Sequence, residues 1–352
     1  MEGGELLRNP EGGPNYKILV LDFNKVNEDR GKTQPGRLMI AGMYGLSPSD
    51  ARKELYHPVL SVLPALSYKE ERDVLKRELG VDEEFNARDF FKGDLEQWGG
   101  IVLTGSPFTA AARRAVLANN PEISLSPYMT EWKKETFAFI RSAVEHKIPV
   151  LGVCFGAQLI AKALGGEVER MKAGNGHGSW EWGWARIWKT GKGLRDPLIR
   201  HLPNPFVAAE NHHDVISRLP ERAVLLCENE YGPQGFRIDR DGKPVAWGFQ
   251  FHPERRRDEI DKYQLGEDDW ERLSELGVSF DVVLQKSGRE LTSWLKEKGV
   301  EFNLRRKLRQ QKKLIEAGLD PDEIYRRGQY YDPQAMRMIF TSFLDLVRRR
   351  ST

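Results

Sequence analysis

Val150-Leu-Gly-Val-Cys154-Phe-Gly-Ala-Gln158-Leu-Ile-Ala-Lys-Ala-Leu-Gly165 is the stretch from which this chain of 352 residues is read. Ile148–Val153 is a short, apolar, β-branched run introduced by Pro149, the pattern of a strand buried on both faces. Phe155–Leu164 is rich in Ala and Leu with apolar residues at helical spacing, and Gly165-Gly166 ends it. Cys154 therefore falls at the turn between a buried strand and the first turn of a helix. Gly152 and Gly156 flank it and permit a sharp bend. This is the geometry of a strand–nucleophile–helix elbow. Helix N-terminal amides favour thiolate, so the pattern predicts a depressed thiol pKa. The competing reading is a small apolar cysteine packed at a strand end.

Working outward, Lys17–Phe23 and Gly100–Phe108 read as two more buried strands, and Tyr128–His146 as a long helix. Strand, helix, strand, elbow and helix form a βαβ succession, which calls for a parallel sheet with helices on both faces. Between the first two strands, 24–98 is longer than one connection needs and is expected to carry an insertion. Helix candidates within it are Ala51–Tyr56, capped by Pro-Ser-Asp at 48–50, and Tyr68–Leu79. After Gly166 come short strand candidates: Glu181–Lys189, Phe206–Glu210, Ala223–Glu228, Gln234–Asp239 and Pro244–Phe251. Arg240-Asp-Gly-Lys carries the Asp-Gly hairpin signal, so antiparallel strands are expected beside the parallel core. Pro333–Arg350 sets Met336, Ile339, Phe340, Phe343, Leu344 and Val347 on one helical face.

The charge balance excludes some classes of partner. Lys+Arg total 54 against Asp+Glu 52, a net of +2, which gives no whole-chain argument for nucleic acid or a membrane surface. The clusters Arg255–Arg257, Arg305–Arg309 and Lys312-Lys313 are interspersed with acids and read as solvated helix faces. No run approaches the length of a membrane span, and Met1–Tyr16 is polar and Gly-rich, a flexible start without an apolar signal core. Cys154 and Cys227 are too few for a disulfide framework and lack zinc-ligand spacing, which suits a reducing cytoplasm. Cys227, in an apolar strand-like run, reads as core.

Three motifs point to one chemistry. Cys154 is the first. His252-Pro-Glu254, at the end of a predicted strand, is the second: residues i and i+2 of a strand share a face, so imidazole and carboxylate can lie side by side. A carboxylate that orients a histidine which takes a thiol proton is triad logic with cysteine as nucleophile. The third is the turn Thr104-Gly-Ser-Pro107, whose backbone N–H groups, with that of Phe155, can face a developing oxyanion. All three lie at strand carboxyl ends, where open α/β sheets bind ligands.

Gly152-Val-Cys154-Phe-Gly156-Ala-Gln158, followed about a hundred residues on by Phe249-Gln-Phe-His252-Pro-Glu254, resembles the class I glutamine amidotransferase signature. Within that superfamily the chain is most similar to the stand-alone, GMP-synthase-like branch. Supporting stretches are Leu103–Pro107, Leu159–Gly166, Glu181–Trp184, His212–Val215 and Leu219-Pro220. The resemblance spans roughly Lys17–Glu254. It implies a flavodoxin-like, three-layer α/β sandwich with added antiparallel strands. It also implies a thioester mechanism: Cys154 attacks the γ-carboxamide of glutamine, His252 acts as base and then acid, and Glu254 orients it. Gly105, Ser106, Phe155 and Gln158 match positions near the oxyanion hole and substrate. No metal or other cofactor is implied.

Two departures bear on the leaving group. Ala157 stands where many members have histidine, and Gly105-Ser106-Pro replaces the commoner Gly-Gly-Pro, as also occurs in γ-glutamyl-amide hydrolases of the superfamily. The substrate is therefore expected to be glutamine or, as the alternative, a γ-glutamyl-amine. A non-catalytic amidotransferase-fold subunit is disfavoured by the intact triad. No Ser-Gly-Gly-x-Asp-Ser pyrophosphatase loop and no Gly-x-x-x-x-Gly-Lys-Ser/Thr phosphate loop occurs. Ammonia made for synthesis would thus need a separate synthase or ligase polypeptide.

His212, His213 and Asp214 offer a catalytic pair or half a metal site, but the family carries a similar His-x-Asp as a structural turn. His177 reads as a loop histidine, and Trp180, Trp182, Trp184 and Trp188 as strand packing. The resulting division is a catalytic domain over 17–257, a charged helical insertion over 258–331, and a final helix over 332–352 packed on the catalytic domain. The insertion is expected to cover the active-site mouth, dock a partner, or form a homo-oligomer contact.

Overall fold

The computed structural model describes residues 18–22, 59–61, 95, 98–105, 127–171 and 180–351. The N-terminal segment 1–16, both helix candidates of 24–98, Ser106 and His177 lie outside them. Eleven strands are assigned among the described residues: β1 Ile18–Asp22, β2 Val59–Ser61, β3 Gly100–Leu103, β4 Val150–Val153, β5 Glu167–Arg170, β6 Glu181–Lys189, β7 Phe206–His212, β8 Asp214–Arg218, β9 Ala223–Asn229, β10 Gly232–Arg240 and β11 Lys243–Phe249. Nine form one sheet in the order β2-β1-β3-β4-β11-β10-β9-β6-β7. The first five are parallel throughout. Their order is the 2-1-3-4-5 of flavodoxin-like sheets. The remaining four continue it antiparallel. β5 and β8 pair separately.

Two helices follow the βαβ logic, α1 Pro127–Glu145 and α2 Phe155–Ala163. The shorter helices α3 Arg257–Asp261, α4 Glu267–Glu275, α5 Phe280–Gln285, α6 Gly288–Glu297, α7 Phe302–Glu316 and α8 Pro321–Arg327 come after β11, and α9 Pro333–Ser351 comes last. Alternation along the strands sorts the core into two faces. Ile101, Leu103 and Val150 pack with Phe139, Ile140 and Ile160 of α1 and α2. Val102, Leu151, Val153, Trp247 and Phe249 pack with Met336, Ile339, Phe340, Phe343 and Val347 of α9. Helix, sheet and helix make the three layers. A satellite core around Leu273, Val283, Leu291, Leu295, Leu304 and Leu308 holds α4 to α7 together.

The structure differs from the sequence reading at four places. β2, β5 and β8 are absent from it. β5 exposes most of its side chains, so no buried alternation marked it. β8 follows β7 after a single residue, where the sequence reading ended the strand at Glu210 and took His212–Asp214 as a turn. β11 ends at Phe249, not Phe251. His252, Pro253 and Glu254 therefore lie in a turn beyond the strand, and an isolated bridge ties the His252 backbone to Ala209. Local turn geometry, not strand pleat, sets the imidazole beside the carboxylate.

Candidate active site

The elbow is built by close approach. Gly156 N–H donates to the Thr104 carbonyl at 3.1 Å. A Cβ on Gly156 would stand 2.2 Å from the Leu103 carbonyl oxygen, and one on Gly152 would stand 2.6 Å from the Gly156 backbone. No side chain fits at either position, so glycine lets α2 start against the ends of β3 and β4. Between them Cys154 takes φ 52° and ψ −107°, a conformation that costs a non-glycine residue about 1–3 kcal/mol. The strained turn points the cysteine backbone N–H at the neighbouring strand. Its N–H donates to the Phe249 carbonyl at 2.7 Å, which ties it to the end of β11.

Three residues past Phe249 comes His252, whose N–H donates to the Ala209 carbonyl at 2.8 Å. Its Nδ1 meets Glu254 Oε1 at 2.7 Å. A carboxylate accepts here, so Nδ1 carries the proton and Nε2 is left as the base. Burial works to raise the Glu254 carboxyl, but the charge and hydrogen bond of His252 outweigh it and hold the pKa below the ordinary value. Gly105, at the end of β3, lies against both partners: a Cβ there would be 3.0 Å from His252 Cε1 and 3.4 Å from Cys154 Cβ. The structure thus brings Cys154, His252, Glu254 and Gly105 together.

The thiol is a correction to the sequence reading. Its pKa is raised, not depressed. Burial is the main cause, followed by the negative charges of Glu210 and Glu254; the Phe155 N–H and Arg255 pull the other way without prevailing. The helix N-terminus is present, but burial outweighs it. Cys154 rests as a thiol, and deprotonation has to be coupled to His252.

Gln158 is buried, and its amide is turned inward: Nε2 donates to the Asp214 carbonyl at 3.0 Å and to Gln250 Oε1 at 3.2 Å. Gln250 Nε2 in turn donates to Cys154 Sγ at 3.7 Å. Ala157 is fully buried, and a Cβ on Gly248 of β11 would lie 3.1 Å from it. That departure from the family pattern therefore concerns packing under the sheet.

Behind the site lies a cluster the sequence reading missed. His212 Nε2 sits 3.0 Å from Glu181 Oε2 and 3.1 Å from Glu210 Oε2, all three residues buried. Cross-strand pairing sets Glu181 opposite His212, with Glu210 two residues back on the same face of β7. Asn229 and Gln234 amides donate to the two Glu181 oxygens at 2.6 and 3.0 Å. Beyond its ion pair with His212, Glu210 accepts no hydrogen bond from the described residues. Burial and the nearby Glu181 charge push its pKa up to about 8. For His212, burial lowers but the two carboxylates win, and its pKa rises to about 10. By composition the three residues could hold a metal ion. His212 Nδ1, however, donates to the Asp214 carbonyl at 3.0 Å while Nε2 lies between carboxylates, which makes the ring an imidazolium supplying its own positive charge. The signal available in sequence was two glutamates within strands otherwise apolar enough to be buried.

Residues 100–267 match the family model "Glutamine amidotransferase class-I". Over these residues the chain is similar to class I glutamine amidotransferases. Among curated relatives, a glutamine-hydrolyzing GMP synthase of Thermotoga maritima is 32% identical over 163 residues, 46% of this chain and 26% of that protein. A glutamine-hydrolyzing GMP synthase subunit of Methanococcus vannielii is 33% identical over 113 residues, 32% of this chain and 53% of that protein. The chain thus matches only about a quarter to a half of the length of these relatives. A solved glutamine amidotransferase from Thermotoga maritima overlays 95% of the chain and 98% of its own, with TM-score 0.46 and 19% identity. The matched residues include the elbow, the His252–Glu254 turn and the buried cluster alike.

Proposed function

We propose that the protein hydrolyses the γ-amide of glutamine through a thioester on Cys154. The observation that carries this reading is the strained Cys154 elbow fixed beside the buried His252–Glu254 pair, within residues similar to class I glutamine amidotransferases. His252 Nε2 takes the thiol proton as Sγ attacks the amide carbon, and the imidazolium passes that proton to the departing nitrogen. The carbonyl oxygen, now negative, faces the backbone at Gly105 and Phe155, an environment worth a few kcal/mol to the tetrahedral intermediate. A water activated by the same histidine then releases glutamate and regenerates the thiol. Ser106 completes the proposed oxyanion turn.

A second reading, favoured by the Gly105-Ser106-Pro turn, is hydrolysis of a γ-glutamyl-amine to glutamate and a substituted amine. In the first reading ammonia is passed to a separate synthase or ligase polypeptide. The segment 258–331 is proposed as an insertion that serves a partner or a second copy of the chain. Two free cysteines, one of them the nucleophile, fit a reducing compartment such as the cytoplasm.

The test is glutamate release from glutamine against a panel of γ-glutamyl-amines, with Cys154→Ala as control. Glutamine turnover lost in Cys154→Ala supports the first reading, and preferential release from a substituted amide supports the second. Equal release by wild type and Cys154→Ala would sink both.

A further inference from the structure

Cys154 is buried, and the structure sets a side-chain N–H donor against its sulfur. We infer that Gln250 is a catalytic hydrogen-bond donor to the Cys154 sulfur, aimed by a buried relay that starts at the Glu181–His212–Glu210 cluster. This rests on the thioester reading above and deepens it by naming what sustains the nucleophile.

The relay fixes which way each amide points. The Asp214 carbonyl can only accept, and it takes both His212 Nδ1 and Gln158 Nε2 at 3.0 Å. Gln158 is thereby oriented with its nitrogen toward β8. That same nitrogen lies 3.2 Å from Gln250, so the Gln250 atom facing it must be the oxygen. Turning the Gln250 amide over would set two N–H₂ groups against each other. The remaining choice is forced, and Gln250 Nε2 faces Sγ at 3.7 Å. Gln250 is held on the main chain as well, its N–H donating to the Gln234 carbonyl at 2.9 Å. Gln234 is the residue whose side chain donates to Glu181, so the relay is anchored at both ends of the same cluster.

The chemistry is asymmetric. Toward a neutral thiol the N–H···S contact is weak. Once His252 removes the proton, the acceptor is anionic and the bond is charge-assisted. No bond is made or broken by Gln250; it lowers the cost of separating thiolate from imidazolium in a dry site. A relay fixed in advance spends little entropy at that moment.

The experiment is the pH dependence of Cys154 alkylation by iodoacetamide, with Cys154→Ala giving the background from buried Cys227. Gln250→Met keeps the volume and removes the donor. It is expected to move the alkylation midpoint up by about one pH unit and to slow alkylation at neutral pH about tenfold. His212→Asn, which cuts the relay upstream, is expected to give a shift of the same sign. A Gln250→Met protein with wild-type near-ultraviolet circular dichroism and an unmoved midpoint would overturn the inference. Should that variant not fold, the wild-type side-chain amide resonance of Gln250 decides: it has to move as the Cys154 thiol titrates, and a stationary signal overturns the inference. Alkylation needs no substrate, so failure of glutamine hydrolysis and failure of the relay are separate outcomes.

Discussion

The N–H of Cys154 donates to the carbonyl of Phe249 at 2.7 Å, which couples the nucleophile's backbone to the strand that leads directly into the base. Parallel register between β4 and β11 pairs Val153 with Phe249, so both chains leave the sheet at one level. Nucleophile and base are thus placed by two buried strands. What remains to be set by side chains is the orientation of the imidazole. Glu254 does this through its 2.7 Å contact with Nδ1. Glu254→Gln keeps the shape but allows the amide to present N–H to the ring, which favours the wrong tautomer. The expected outcome is a fall in kcat of about 10²- to 10⁴-fold with little change in thermal stability, read from steady-state glutamate release.

Cys154 stores strain, and this can be measured without any substrate. At φ 52° and ψ −107° a residue with a Cβ is disfavoured and glycine is not. Cys154→Gly is therefore expected to be more stable than Cys154→Ala by about 1–2 kcal/mol in urea unfolding, although glycine usually loosens the unfolded chain. Equal stability would mean that the turn relaxes once the thiol is gone.

Much of this arrangement was legible in the sequence. Apolar runs in 17–23, 100–108 and 148–153 marked parallel strands, β3 and β4 being buried on both faces, and the spacing of Met336, Ile339, Phe340, Phe343 and Val347 marked the face of α9 that meets the sheet. Cys154, His252 and Glu254 stood out because their residue types at strand ends admit few roles. Long-range polar pairing left no such trace. Glu181, Glu210 and His212 come together through the register of β6 with β7, and the Gln250 side chain meets Gln158 of α2 from far along the chain. The thiol pKa was misread for the same reason. A helix N-terminus is local and visible, whereas dehydration and two distant carboxylates are not.

The cover that α9 provides has a definite cost of removal. Phe343 is fully buried and meets Trp247 of β11 edge-on, with ring centroids 6.4 Å apart. Phe343→Ala opens a cavity on the face of the sheet opposite α2. The expected loss is about 3–5 kcal/mol, measured as a lowered urea midpoint. Since Trp247 lies five residues before His252 on the same chain, activity at ambient temperature should survive only as far as the folded fraction does.

The buried cluster predicts an alkaline limit to stability. His212 binds its proton more tightly folded, with a pKa raised to about 10, so its contribution is complete below pH 6.5 and is lost as pH rises toward 10. Glu210, raised to about 8, keeps a proton that the unfolded chain gives up near 4.5, so it too favours the folded state less as pH climbs to 8. Both act in one direction. Thermal unfolding should show Tm falling by roughly 5 °C or more between pH 6.5 and 10. Glu210→Gln mimics the protonated carboxyl and removes that group's ionisation, so the slope between pH 6.5 and 8 should flatten while the His212 part above 8 remains. A slope unchanged in Glu210→Gln would show that the carboxyl is ionised throughout this range, and that His212 alone compensates two buried negative charges.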